Sequence, residues 1–127
     1  MRDVIFSLKP AYAEKILSGE KTVEFRKNLC AESIGKILIY ETSPVKKITG
    51  EVCVDAIVSG TPEEVWERLG ERAAMTRMAY DRYYLKRNRA VAYCLSRPVR
   101  YEEARELSEY GVSSAPQSFT YVKEKDL

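Results

Sequence analysis

Hydrophobic and polar positions along the chain change period several times, and each change marks a predicted element. Residues 4–8 (VIFSL) form an apolar run that predicts a first strand. Pro10 stands where the first turn of a helix tolerates it, Tyr12, Ala13, Ile16 and Leu17 recur at helical spacing, and Gly19 closes the helix. From Lys21 to about Lys27 the period shortens to two: Val23 and Phe25 fall on one face, and Thr22, Glu24 and Arg26 on the other. A strand patterned in this way sets its back on a core and its front toward water or a ligand. Residues 28–35 have no periodicity and read as a loop.

Residues 36–42 (KILIYET) hold four consecutive apolar positions, two on each pleat face, which predicts a central strand covered on both sides. A turn over 43–47 with two adjacent lysines leads to a long strand over 48–58, where Gly50 predicts a bulge or bend. Thr61, Pro62 and Glu64 form a capping box that opens a helix with Val65, Trp66 and Leu69 as its apolar stripe and Gly70 as its stop. A second helix is predicted over 73–85, ending in the basic cluster Lys86, Arg87, Asn88 and Arg89. Residues 89–96 read as a buried strand that Pro98 interrupts, 101–107 (YEEAREL) as one or two helical turns, 113–116 as a loop, 118–122 as a closing strand, and 123–127 as a frayed end.

Six short strands, one early helix and an inserted helical pair predict an α+β fold: a small mixed or antiparallel β-barrel in a single domain over 1–127. A doubly wound sheet does not fit, because only two connections are helical and no glycine-rich phosphate loop follows a strand.

Composition narrows the chemistry. With 45% apolar and 31% charged residues, and 21 basic against 19 acidic side chains, the chain has the make-up of a soluble globular domain, and its net charge of +2 does not alone point to nucleic acid. No apolar run approaches the roughly 18 residues that span a membrane, and the first residues lead straight into a strand, so a cytoplasmic protein without membrane contact is expected. Cys30, Cys53 and Cys94 form no CxxC pair, and there is no histidine. The expectation is therefore no metal site, no cofactor and no disulfide framework, with Cys53 and Cys94 as small core residues. Any acid–base chemistry must come from Glu, Asp, Lys or Tyr.

Ser7-Leu8-Lys9-Pro10, and then the run from Tyr12 to Arg26 containing Gly19, Lys21, Glu24 and Arg26, resemble the signature G-x-K-x-x-E-x-R of the ASCH domain. Residues 40–51, with Ser43-Pro44 and a basic turn before Gly50-Glu51, and residues 115–119 (APQSF) are similar to later segments of the same family, so the resemblance spans nearly the whole chain. It implies a PUA-like β-barrel with a cleft between the early helix and the barrel. It also implies roles in RNA binding, RNA processing or transcription coactivation. A regulator of this kind would act through a protein partner, because no helix-turn-helix accompanies the domain.

The candidate ligand-binding residues are Lys9, Lys21, Glu24, Arg26, Ser43, Lys46, Lys47, Gln117 and Ser118. Lysines supply point charges for phosphate, arginine a planar fork, and Glu24 an acceptor for a base amino group. Tyr40, Tyr83, Tyr84 and Phe119 are candidates to stack on an unpaired base, although packing into the core is the stronger reading for each. Lys46 and Lys47 read also as a solvated turn, Lys86 to Arg89 as a helix-end cluster, and Lys21, Glu24 and Arg26 as an internal salt bridge. RNA, or a nucleoside or nucleotide, is the expected partner. The alternative is a hydrolase, acting on N4-acetylcytidine-like nucleosides or as a ribonuclease, with Lys21 and Glu24 catalytic. In the related amidohydrolases a threonine follows the lysine by three residues; here Glu24 holds that place, Thr22 offers a hydroxyl at another spacing, and Glu64, Glu67, Glu71 and Asp81 are open as the acid.

Overall fold

The computed structural model describes residues 1–28 and 33–122. The expected frayed end at 123–127 and residues 29–32 of the expected loop at 28–35, Cys30 among them, lie outside the described residues. In chain order the elements are β1 (Arg2–Leu8), α1 (Pro10–Leu17), β2 (Val23–Arg26), β3 (Ile34–Glu41), β4 (Lys47–Gly60), α2 (Pro62–Leu69), α3 (Arg77–Tyr83), β5 (Ala90–Arg105) and β6 (Phe119–Tyr121), with 3-10 turns over Gly70–Arg72 and Leu107–Tyr110. The strands form one sheet in the order β2-β5-β4-β3-β1-β6, in which only the β1–β3 pair is parallel. The sheet curls into a half-barrel. The expected α+β barrel with an early helix and an inserted helical pair is therefore present, with β2 and β6 as its two edges.

Burial follows the predicted alternation. In β3, Ile37 and Ile39 join the core beneath α1 while Leu38 and Tyr40 join a second cluster with Ile5, Ile48 and Val112, so this strand is covered on both faces. In β5, Val91, Tyr93 and Leu95 face the α1 side, and Ala90, Ala92 and Cys94 face α2 and α3. Cys94 is core as expected, whereas Cys53 is only half-buried. Gly50 sits at a register shift, where an added Cβ would lie 2.5 Å from the Val99 carbonyl oxygen and 2.6 Å from Leu17 Cδ2. Its missing side chain lets α1 lie close on the sheet.

Helix α2 carries the capping box in full: Thr61 Oγ1 accepts from the Glu64 amide and Glu64 Oε1 from the Thr61 amide. Gly70 is not a left-handed stop. Its φ is −57°, the chain runs on as a 3-10 turn, and a Cβ there would meet the Trp66 ring at 2.6 Å, so glycine is required by packing.

Three expectations are corrected. The helix expected over 73–85 is limited to Arg77–Tyr83 and is capped by Thr76, because the Ala73 and Ala74 carbonyls accept from Lys21 and Lys15 and Ala74 has φ 51°, which hold this stretch outside helical geometry. Pro98 does not end the strand: β5 runs past it through a bulge, with Cys53 opposite Ser96, Glu51 opposite Val99, and Arg97 at φ 54°. Residues 101–105 are strand rather than helix, because pairing with β4 outweighs the helical preference of that stretch. Among the described residues no helix is long and apolar enough to cross a membrane, and no group of three or more metal-ligating side chains occurs.

Candidate functional site

The motif strand and its flanks build a cleft. Strand β2 is shorter than expected, and Lys21 and Thr22 precede it. Val23 and Phe25 pack into the core under α2 and α3, so the pleat turns Glu24 the other way. The cleft is lined by Ser7, Leu8 and Lys9 at the end of β1, Tyr12 of α1, Lys21, Glu24, Phe25 and Arg26 of the motif, Met75, and Tyr83 of α3, and it encloses about 310 Å³. That volume is at the lower end of the range usual for small-molecule pockets.

Three charged groups form its floor. Lys21 is 3% exposed, and its Nζ donates to the Ala73 carbonyl oxygen at 2.6 Å and lies 3.8 Å from Glu24 Oε1. Burial pushes the Lys21 ammonium below the usual lysine range; Glu24 opposes that shift, while Lys15 and Arg26 add to it. Glu24 Oε2 accepts from Arg26 Nε at 3.1 Å and from Nη2 at 3.0 Å. Arg26 Nη2 also donates to the Ser7 carbonyl at 3.0 Å, and Nη1 donates to Ser118 Oγ at 3.2 Å. Its guanidinium lies 4.4 Å from the Phe6 ring centroid. Arg26 thus joins edge strand β2 to β1 and to the residue preceding β6, across the open side of the half-barrel.

Two aromatic rings flank this floor. Lys21 Nζ is 5.9 Å from the centroid of Tyr12, and Lys27 Nζ is 4.7 Å from that of Tyr83. Burial raises the Tyr83 phenol above its ordinary range.

Of the sequence-predicted residues, the structure brings together Lys9, Lys21, Glu24 and Arg26 in the cleft, with Ser118 held behind Arg26. It does not bring the others there. Ser43 and Lys46 are exposed on the β3–β4 turn, Lys47 pairs with Glu106 at 2.7 Å, and Gln117 lines a separate surface hollow. Of the stacking candidates only Tyr83 reaches the cleft. Tyr40 and Tyr84 are core, and Phe119 packs on Phe6 and Tyr121. Thr22 does not share the Glu24 face; its Oγ1 accepts from Arg72 Nε at 3.0 Å. The acid candidates Glu64, Glu67, Glu71 and Asp81 do not line the cleft: Glu64 caps α2 and Asp81 pairs with Arg77. Sequence reasoning missed Ser7, Leu8, Tyr12, Phe25 and Met75 as lining residues. Tyr12 had a readable signal, lying three residues after Lys9 on the first turn of α1, whereas Met75 had none.

A half-barrel with an early helix over one end and a Lys-Glu-Arg cleft at its open side defines the class to which the molecule is similar. The ASCH domain model matches residues 6–115, and the chain belongs to that family. It is 33% identical over 129 residues to the ASCH domain-containing ribonuclease of Zymomonas mobilis, covering 98% of this chain and 87% of that protein. The crystal structure of ASCH from Zymomonas mobilis superposes with a TM-score of 0.88 at 31% identity, covering 97% of this chain and 89% of that one. A 28% identical match over 121 residues links the chain to large ribosomal subunit protein uL22 of Ureaplasma parvum; it takes in 94% of this chain but spans only 39% of that protein.

Proposed function

We propose that this ASCH domain binds single-stranded RNA and holds one unstacked base in the cleft. The observation that carries the reading is the buried Lys21–Glu24–Arg26 floor beneath the rings of Tyr12 and Tyr83. A flat base fits a cleft with aromatic flanks, and single-stranded RNA is the form whose bases are free to leave the stack. Because Arg26 occupies Glu24 Oε2, the groups with capacity for a ligand are Glu24 Oε1 as acceptor and Lys21 Nζ as donor, with exposed Lys9 at the mouth for phosphate.

A second reading, cleavage of the bound RNA, is supported by the identity to a protein named as a ribonuclease. It draws on the lowered basicity of Lys21, which brings a lysine toward the range useful for proton transfer. Deacetylation of an N4-acetylcytidine-like nucleoside fits less well: among the described residues no threonine lines the cleft, and Glu24, in the nucleophile's place, is held by Arg26.

The test incubates the protein with a single-stranded RNA pool and separately with N4-acetylcytidine, at low and physiological salt, beside Lys21→Ala and Glu24→Ala, and reads products by mass. Salt-sensitive RNA retention that falls in Lys21→Ala, with no product, is the expected result. RNA fragments that both variants fail to make would establish cleavage. Deacetylation lost in both variants would overturn the binding reading.

A further inference from the structure

The basic cluster that follows α3 is not absorbed by the cleft, and the fold places part of it at the cleft's edge. Arg26 of β2 pairs with Val91 of β5 in antiparallel register, so the residues after Arg26 and those before Ala90 emerge side by side at one end of the sheet. The Tyr84 hydroxyl donates to the Arg26 carbonyl at 2.7 Å and fixes the end of α3 against this same corner. Tyr83, next to it, is the cleft wall. Lys27 covers the Tyr83 ring, with Nζ 4.7 Å from its centroid, and the Arg87 amide donates to the Tyr84 carbonyl at 2.9 Å, which holds Arg87 at the end of α3 beside this wall. Both Lys27 and Arg87 are exposed.

Neither has an acidic partner among the described residues, a state they share with Lys9, Lys46, Arg68 and Arg97, and what distinguishes them is their place beside the Tyr83 wall. Elsewhere on the surface Lys36 pairs with Glu51, Lys47 with Glu106, Arg100 with Glu14, and Arg77 with Glu63 and Asp81. Among the described residues neither Lys27 nor Arg87 is in an ion pair, and residues 82–90 contain no carboxylate. Arg89 is not part of the arrangement, because it turns toward Ser59, with Nη2 3.4 Å from Ser59 Oγ. Two exposed cations beside an aromatic wall, in no ion pair among the described residues, match what a nucleic-acid backbone presents beside a base: a phosphate about one nucleotide away.

We infer that Lys27 and Arg87 form a phosphate-binding step immediately outside the cleft, over which an RNA strand leaves the pocket past Tyr83. The inference rests on the reading of the cleft as an RNA-base site and adds the direction in which the strand runs. Tyr83 then serves as the divide between the held base and the next nucleotide.

The test measures retention of a fluorescein-labelled ten-nucleotide single-stranded RNA of mixed sequence across salt concentrations. It compares the wild-type chain, Lys27→Gln/Arg87→Gln, the charge-matched control Arg68→Gln/Arg97→Gln, the conservative Lys27→Arg/Arg87→Lys, and Lys21→Ala. Each phosphate contact on a single strand contributes about 0.7 to the slope of log affinity against log salt, so losing two should make the slope shallower by about 1.4. The control and the conservative variant should keep the wild-type slope. A Gln pair that weakens binding no more than the control overturns the step, as does a wild-type chain that retains no RNA. A slope that falls in the Gln pair while Lys21→Ala binds as wild type leaves the step standing and refutes the cleft as the base site. Loss in both variants with an unchanged control supports the two together.

Discussion

Replacing Arg26 by alanine should destabilise the fold more than it weakens any surface contact. The side chain is 11% exposed and Glu24 is 10% exposed, so the pair is effectively buried. Arg26 donates to Glu24 Oε2 through two nitrogens, to the Ser7 carbonyl, and to Ser118 Oγ. Truncation leaves a buried carboxylate whose nearest remaining cation is Lys21 Nζ at 3.8 Å from Oε1, and it also strips a donor from the Ser7 carbonyl. Removing one partner of a buried ion pair costs about 3–5 kcal/mol, because the partner's charge stays in a poorly solvated site. With an unfolding entropy near 0.27 kcal/mol per kelvin for 127 residues, that corresponds to a Tm lower by roughly 11–19 °C. Urea unfolding read by the fluorescence of Trp66, the chain's single tryptophan, measures it directly. The double variant Arg26→Ala/Glu24→Ala should lose less than the sum of the single losses, because the stranded charge is gone. An Arg26→Ala loss below about 1 kcal/mol, or strict additivity with Glu24→Ala, would refute the description of Arg26 as the tie across the open side.

Lys21 should leave a signature in the pH dependence of stability. Its folded pKa is lowered by burial, so in the window below the ordinary lysine value of 10.5 the unfolded chain binds more protons, and wild-type stability should rise with pH there relative to Lys21→Met; identical pH profiles for the two proteins would refute the shift. Gly50→Ala forces a Cβ to within 2.5 Å of a backbone carbonyl oxygen that cannot swing aside and should cost about 1–3 kcal/mol in urea unfolding. A neutral effect would show that α1 does not press on the sheet there. Thr61→Ala removes the hydroxyl half of the α2 capping box and should cost about 1 kcal/mol, whereas Thr61→Asp, which keeps an acceptor, should restore most of it. Equal losses in the two variants would mean that the cap does not set the start of α2.

The charged residues of the site were legible because they fall within a stretch of six, and the apolar partners Val23 and Phe25 fix which way the strand faces. Their consequences were not. Lys21 binds a carbonyl 52 residues away, and that bond explains both why α3 begins late and why Met75 reaches the cleft. No local pattern encodes it. Pro98 misled for the opposite reason: the local rule against proline in a strand is sound, but a bulge absorbs it, and bulges are set by pairing with β4. The stretch at 101–105 has helix-favouring residues and yet lies in β5, since its pairing with β4 and the hydrogen bond that the Tyr101 hydroxyl donates to Glu51 at 2.9 Å join residues too distant in sequence to weigh. The lysines of the β3–β4 turn show the limit of reading charge alone, because Lys47 finds Glu106 only after β5 has folded back.

The position of the cleft follows from how the half-barrel is held together. Backbone pairing between β2 and β6 would fill the open side with strand and leave no recess. Here a side chain does the joining instead: one guanidinium reaches from β2 to β1 and to the residue before β6, and the space beside it is the cleft. The arrangement commits most of Arg26 to the protein itself and burdens Lys21 with burial. On the proposed RNA-binding reading, recognition would fall to the groups that closure leaves open, Glu24 Oε1, Lys21 Nζ and exposed Lys9, between the rings of Tyr12 and Tyr83. The two demands are separable. Substitutions at Arg26 should register first as lost stability, and substitutions at Lys9 or Tyr83 as lost affinity in a chain that still folds.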